Sequence, residues 1–257
     1  MQLILRKVNK SYKNTQSISR VIHNLNINLN IGDTYCLFGP SGCGKTTLLN
    51  IISGIIKFDS GNILWKDGKE ITRYLPGNKK VGYLFQGIQL FPWLNVQDNL
   101  AIALSSLNLS KRQRGDLIID NLKSLDLIKY IYKYPYSLSQ GQQQRIALVR
   151  ALIINPDILL LDEPFSHLDE EAAQKLREDL TRLIEDKKIL TLYVTHNPYE
   201  AIYMSNKIIV FNGDTPTKIA LLQTKYKPKK SVNNYLDISS DPEVVRSVKK
   251  LYKLTRK

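Results

Sequence analysis

Apolar and polar residues alternate at Leu3, Leu5 and Val8, and again through Val21, Leu25, Ile27 and Leu29. That two-residue period predicts half-buried strands. Tyr35-Cys36-Leu37-Phe38 is instead a continuous apolar run ending in glycine. It predicts a parallel strand, covered on both faces, that feeds a loop. A helix is predicted over about 45–53, closed by Gly54. From about 95 to 155 the alternation gives way to helical patterning, punctuated by Pro135 and the stretch 137–141. Residues 158–161 predict a second buried strand, 169–186 a charged surface helix, and 189–194 and 208–211 further strands. Strands that alternate with helices imply an α/β sheet with helices on its faces.

The 257 residues suffice for one large domain or two small ones, and 43% hydrophobic with 23% charged residues fits an ordinary globular chain. No apolar stretch reaches the roughly 18 residues that cross a bilayer. The opening MQLILRK breaks at Arg6 and Lys7 and is no signal peptide. The chain is therefore expected in the cytoplasm, with any membrane role exerted through a partner. Cys36 and Cys43 are too few for a disulfide framework and match no common metal spacing, which suits a reducing compartment. The net charge of +14 has two readings. One is a surface for nucleic acid or anionic lipid. The other is a chain simply rich in Lys, Asn and Ile. The basic residues concentrate only in the tail, at Lys225, Lys227, Lys229, Lys230, Lys249, Lys250, Lys253, Arg256 and Lys257.

Candidate chemistry begins at Gly39-Pro40-Ser41-Gly42-Cys43-Gly44-Lys45-Thr46, which matches G-x-x-x-x-G-K-[ST]. The glycines let the backbone curl so that successive N–H groups face a phosphate. The helix that follows adds its positive dipole end. Lys45 reaches the β- and γ-phosphates and the Thr46 hydroxyl ligates Mg²⁺. A second site candidate follows the 158–161 run, at Asp162 and Glu163. Unpaired carboxylates belong at a strand tip rather than in a core, and ligands bind at the carboxyl ends of strands in open α/β sheets. Asp162 is then a candidate Mg²⁺ partner and Glu163 the general base for an attacking water.

Ser137-Leu138-Ser139-Gln140-Gly141-Gln142-Gln143-Gln144-Arg145 closely resembles the signature sequence of ABC ATPases. Other elements of that family stand around it in order. Gln86 resembles the Q-loop glutamine, the stretch Ser166-His167-Leu168-Asp169 the D-loop, His196 the switch histidine, and Tyr12 the aromatic that stacks on adenine. The resemblance spans about residues 2–222. It implies an α/β P-loop NTPase core with an N-terminal antiparallel β subdomain and an α-helical subdomain inserted at about 90–150, followed by a basic C-terminal extension over 223–257. It implies ATP and Mg²⁺ as cofactors. Glu163 and His196 are then catalytic, and Thr46, Gln86 and Asp162 hold the metal. The nucleotide set is Tyr12, the loop from Gly39 to Thr46, Thr47, Ser139, Gly141, Gln142 and Asp169. Two departures are Gln140, where the family has glycine, and His167, where a small residue is commoner.

Ser139 offers a hydroxyl and Gly141 an N–H where a helix begins, a second anion site. The resemblance implies that it serves an opposite subunit, in a head-to-tail homodimer or a pair of ATPase subunits with ATP at the interface. The Phe91-Pro92-Trp93-Leu94 cluster reads either as core or as a groove for a helix of a membrane subunit. Together with Asp162-Glu163-Pro164-Phe165 it resembles importer ATPases of the nitrate, sulfonate and taurine type. The implied partners are two membrane permease subunits and, indirectly, a solute-binding protein, with no nucleic acid. The implied place is the cytoplasmic face of the cell membrane. The alternatives are a soluble ABC ATPase of the assembly-factor type and the ATPase of an export or lipoprotein-release system. Residues 241–254 predict a basic amphipathic helix that either packs back on the domain or lies near lipid headgroups.

Overall fold

The computed structural model describes residues 1–13, 18–87, 89–166, 168–212, 219–224, 238–239 and 241–255. His167, Lys225, Lys227, Lys229, Lys230, Arg256 and Lys257 lie outside the described residues. In chain order the elements are β1 (Gln2–Lys13), β2 (Ile18–Asn30), β3 (Thr34–Phe38), α1 (Lys45–Ser53), β4 (Ser60–Asp67), β5 (Glu70–Arg73) and β6 (Val81–Leu84). Then come α2 (Val96–Ala103), α3 (Lys111–Ser124), α4 (Gln140–Leu152), β7 (Ile158–Asp162), α5 (Glu170–Lys187) and β8 (Leu190–Val194). The last are α6 (Pro198–Met204), β9 (Lys207–Phe211), β10 (Ile219–Gln223) and α7 (Pro242–Thr255). Two compact units result, one of residues 1–78 with 188–257 and one of residues 79–187.

The first unit holds an antiparallel sheet of order β2-β1-β4-β5. Leu3 faces Leu29 on one neighbour and Trp65 on the other, and all three are buried. This is the antiparallel β region that the resemblance implies. The same unit holds β3 between β8 and β9, parallel to both, with β10 antiparallel to β9. Every residue of β3 and β8 is buried, as continuous apolar runs require. Leu37 pairs with Val194, so the chain leaves β3 and β8 at the same end, carrying Gly39 and Thr195. Gly54 closes α1 at φ 83, its N–H donating to Ile51 O. The tail helix α7 buries Val244, Val248 and Leu251 and packs on α6 and β9. Tyr252 meets the Phe38 ring edge-on at 6.3 Å. Of the two readings of this helix, packing back on its own domain is the one observed. Arg246, Lys249, Lys250 and Lys253 face outward.

In the second unit β6 runs parallel to β7, with Leu84 opposite Leu161. Gly82 of β6 lies against α4 so closely that a Cβ there would sit 2.1 Å from Ala151 O. Helix α4 packs on α2, α3, α5 and β6 and buries Ile146, Ala147, Leu148, Val149 and Leu152. Arg145 on α4 pairs with the buried Asp179 of α5 at 2.7 Å. Among the described residues no helix is long and apolar enough to cross a membrane.

Candidate functional site

The candidate residues fall in both units, and each set has its own geometry. In the first unit the phosphate loop leaves β3 and ends on α1. Gly42 and Gly44 have φ of 77° and 104°, a region that side chains avoid. A Cβ on Gly44 would also strike Val21 Cγ1 at 2.6 Å, and one on Gly39 would meet Phe211 O at 2.5 Å. Sequence therefore fixes the curl of the loop at three glycines. Helix α1 has no side-chain cap and no acid in its first turn. Its first amides have no partners within the helix, as in any α-helix, and its positive end stays uncompensated by an acid. Lys45 is 5% exposed, and its Nζ donates to Gly39 O at 2.9 Å and Pro40 O at 2.7 Å. The ammonium thus lies across the mouth of the loop. Thr46 is exposed and Thr47 half-buried.

Tyr12, near the end of β1, hydrogen-bonds its hydroxyl to Thr47 Oγ1 at 3.4 Å. That places an exposed aromatic ring beside the first turn of α1, with Lys10 Nζ 5.5 Å from the ring centroid. His196 is exposed and follows β8, at the strand end that β3 shares. Its turn is fixed from below. Thr195 Oγ1 donates to the buried Glu200 Oε2 at 2.5 Å and accepts from Asn197 N at 3.0 Å, while Asn197 caps α6. Both cysteines are free and buried, and burial pushes both thiols up, which makes them packing residues.

In the second unit Asp162 ends β7 and is 3% exposed. Burial, and then the charge of Asp162, push the Tyr83 hydroxyl far above its usual range. Glu163 follows with φ 48°, a left-handed conformation in a non-glycine residue. Its carbonyl accepts from Ser166 N at 3.1 Å and Ser166 Oγ at 2.8 Å. Its carboxylate Oε2 accepts from Gln86 Nε2 at 3.1 Å. The signature segment forms the start of α4. Ser139 is the N-cap and makes a reciprocal capping box with Gln142, at 3.3 Å and 3.1 Å. Gln140 opens the helix with its side chain exposed. At Gly141 a Cβ would lie 2.7 Å from Ala172 Cβ on α5, so this glycine has a packing reason besides its free N–H. Asp169 Oδ1 accepts from Ala172 N at 2.8 Å and so caps α5.

Three further residues organise this unit. Gln144 Nε2 donates to Pro164 O at 2.9 Å, which joins the signature helix to the loop carrying Glu163. Asn99 is fully buried and bonds Phe91 N, Phe91 O, Leu94 O and Asn95 O between 2.8 and 3.1 Å, so it shapes the turn 91–95. Beside that turn lies a groove of about 580 Å³, lined by Tyr83, Phe85, Phe91, Trp93 and Arg150 among others. Trp93 is 70% exposed at its edge. The Phe91-Leu94 cluster is therefore half groove wall, half turn, rather than plain core. Sequence reasoning passed over Gln144, Asn99, Glu200 and Arg150. Gln144 stands in the polar run Gln142-Gln143-Gln144-Arg145, Asn99 follows Gln97 and Asp98, and Glu200 lies in the first turn of a helix, so the local pattern carries no signal of their burial.

The ABC transporter family profile matches residues 22–166. The chain is 40% identical over 216 residues to the sulfate/thiosulfate import ATP-binding protein CysA of Neisseria meningitidis serogroup B, covering 82% of this chain and 59% of that protein. It thus spans about three fifths of that relative. It is 37% identical over 235 residues to the aliphatic sulfonates import ATP-binding protein SsuB of Bacillus cereus, covering 91% of this chain and 90% of that one. Among solved structures it is similar to the dimeric post-hydrolysis state of the ATP-binding cassette MJ0796 bound to ADP and Pi, with TM-score 0.72 and 30% identity over 88% of this chain and all of that one.

Proposed function

The chain belongs to the ABC transporter family, and from that premise we propose that it binds and hydrolyses ATP to drive a membrane transporter, a solute importer of the nitrate, sulfonate and taurine type. The observation that carries this reading is the phosphate loop, in which three glycines and the buried Lys45 surround the uncapped start of α1. Lys45 exchanges its two carbonyl bonds for phosphate oxygens, while the first amides of α1 hold the rest of the phosphate charge. Tyr12 stacks on the base. Glu163 takes a proton from the attacking water, and His196 stabilises the terminal phosphate.

Thr46 contributes a hydroxyl, Asp162 a carboxylate and Gln86 an amide oxygen, since its Nε2 is given to Glu163. These are hard oxygen donors of the kind Mg²⁺ takes when substrate phosphates complete its shell. Mg²⁺ supplies charge neutralisation at the phosphates. Ser139, Gly141, Gln142 and Asp169 serve the ATP of a second copy, in a head-to-tail dimer. The division of labour along the chain is a nucleotide-binding domain over 2–222, with helices inserted at about 90–150, and the extension 223–257.

The apolar groove beside Trp93 serves as the contact for a permease subunit, with the chain working at the cytoplasmic face of the membrane; the exposed Trp93 at the groove edge supports this reading. A solute-binding protein is an indirect partner, and nucleic acid is none. The names of the relatives, which import sulfate, thiosulfate and aliphatic sulfonates, support an importer. The test is co-expression with the permease encoded by neighbouring genes. The chain is expected in the membrane fraction, released when the permease is omitted. A chain that never joins membranes would point to a soluble ATPase instead.

A further inference from the structure

The antiparallel sheet carries a polar cavity of about 510 Å³ on its exposed side, between β1, β2 and β4. All three strands are disturbed at its level. The β1–β2 register shifts between Leu5 and Val8 and again between Val8 and Lys10, and the β1–β4 register shifts between Arg6 and Asn9. Lys7 and Asn24 stand at φ 49° and Gly61 at φ 105°. A Cβ on Gly61 would lie 2.4 Å from Lys7 O, so the close approach of β4 requires glycine. Asparagines repair the freed main-chain groups. Asn26 Oδ1 accepts from Lys7 N at 3.1 Å and Asn9 Oδ1 from Asn24 N at 2.8 Å, while Asn9 Nδ2 donates to Lys7 O at 2.7 Å. Asparagine tolerates a left-handed backbone, but lysine gains nothing from it. Bulges re-aim the side chains they carry, and the one re-aimed at residue 7 ends in an ammonium.

We propose that this cavity binds a small oxyanion of the sulfate and phosphate class. It shares no residue with the nucleotide set. Arg6, Lys7 and His23 line it, and no carboxylate does. Among the described residues the Lys7 ammonium, the His23 ring and the Asn62 amide have no hydrogen-bond or ion-pair partner. Arg6 spends only Nη1, on Leu5 O at 3.3 Å and Asn28 Oδ1 at 2.8 Å, which leaves Nε and Nη2 to donate. The nearby Lys10 behaves oppositely, since Asp59 holds it at 3.0 Å. Like charges on adjacent residues repel when no acid stands between them, and a bound anion removes that repulsion. A tetrahedral dianion offers acceptor oxygens to an ammonium, a guanidinium edge and an amide at once. A carboxylate carries one charge and would leave the second cation unanswered.

The experiment uses the full chain with Mg²⁺ and saturating ADP, so that the phosphate loop is already filled. Sodium sulfate and inorganic phosphate are titrated at constant ionic strength set with sodium chloride, and the amide resonances of Lys7, Asn24 and Gly61 are followed by NMR. Saturable shifts at these three amides are expected. Lys7→Asn removes the charge and keeps a residue at ease at positive φ, and Arg6→Gln keeps an amide donor. Each is expected to weaken binding about tenfold, the worth of one charge-assisted hydrogen bond. Lys69→Gln, on the turn outside the cavity, is expected to bind as the parent does. Should Lys7→Asn fail to fold, Arg6→Gln carries the test alone. Shifts that sodium chloride reproduces would reduce the effect to screening and overturn the proposal. Parent affinity in both cavity variants would overturn it too. Phosphatidylcholine vesicles with phosphatidic acid distinguish a lipid phosphate from a free one: a response to vesicles and none to the free ions would contradict a site for a small oxyanion.

Discussion

Gln86 Nε2 donates to Glu163 Oε2 at 3.1 Å, tying the loop after β6 to the acid after β7. The strands that carry them are parallel neighbours with Leu84 opposite Leu161, so both residues leave the pair at the same end. Glu163 is held there in a left-handed backbone conformation, with its carbonyl engaged by Ser166. Such a conformation costs a non-glycine residue about 1–2 kcal/mol. The turn keeps its two Ser166 bonds whatever side chain stands at 163, because both bonds use the main-chain oxygen.

Glu163→Gly is therefore expected to abolish ATP turnover and at the same time stabilise the fold by about 1 kcal/mol, the steric relief at a positive φ. Urea unfolding alongside phosphate release measures both. A variant less stable than the parent would show that this turn carries no strain.

Gly141 allows α4 to approach α5, since a Cβ there would stand 2.7 Å from Ala172 Cβ. Gly141→Ala is expected to cost about 1–3 kcal/mol by overpacking. The companion change Ala172→Gly is expected to recover most of it. Thermal unfolding of the single and double variants reads the coupling; simple additivity would remove the packing argument.

Asn99 makes four main-chain bonds in a fully buried place. Asn99→Leu keeps the size but takes the side-chain partner from Phe91 N–H and Leu94 O, while Phe91 O keeps Leu94 N and Asn95 O keeps the residue-99 N–H, for a cost of about 3 kcal/mol. Trp93 should lose its set position, and its fluorescence should shift, while nucleotide affinity, which rests on the phosphate loop, stays unchanged. Unaltered stability would mean that water or neighbours replace the amide.

Legibility in the sequence followed how strictly local chemistry dictates the backbone. The phosphate loop was readable because its glycines answer fixed steric demands at 39, 42 and 44. The buried strands β3, β7 and β8 were readable because both faces are covered. Strand β5 was not, since all four of its residues are exposed and carry no burial signal. Strand β6 has four residues with Gly82 inside, and the reason for that glycine, the Ala151 carbonyl on α4, is a tertiary contact. Strand β4 buries only Ile63 and Trp65, and β10 only Leu222, too little for a periodic pattern. At the candidate site the residue types announced themselves, but the supports did not. Glu200 reads as an ordinary first-turn acid until Thr195 is seen to donate to it. Arg150 reads as a surface charge until the groove closes round it.

Light scattering of the Glu163→Gln variant with ATP and Mg²⁺ tests the central claim most directly. With the proposed base gone and the phosphates intact, the variant is expected to run as a dimer that releases no phosphate, and to return to monomer when ATP is replaced by ADP. A variant that stays monomeric with ATP bound, or that turns over at the parent's rate, would contradict the shared-nucleotide mechanism.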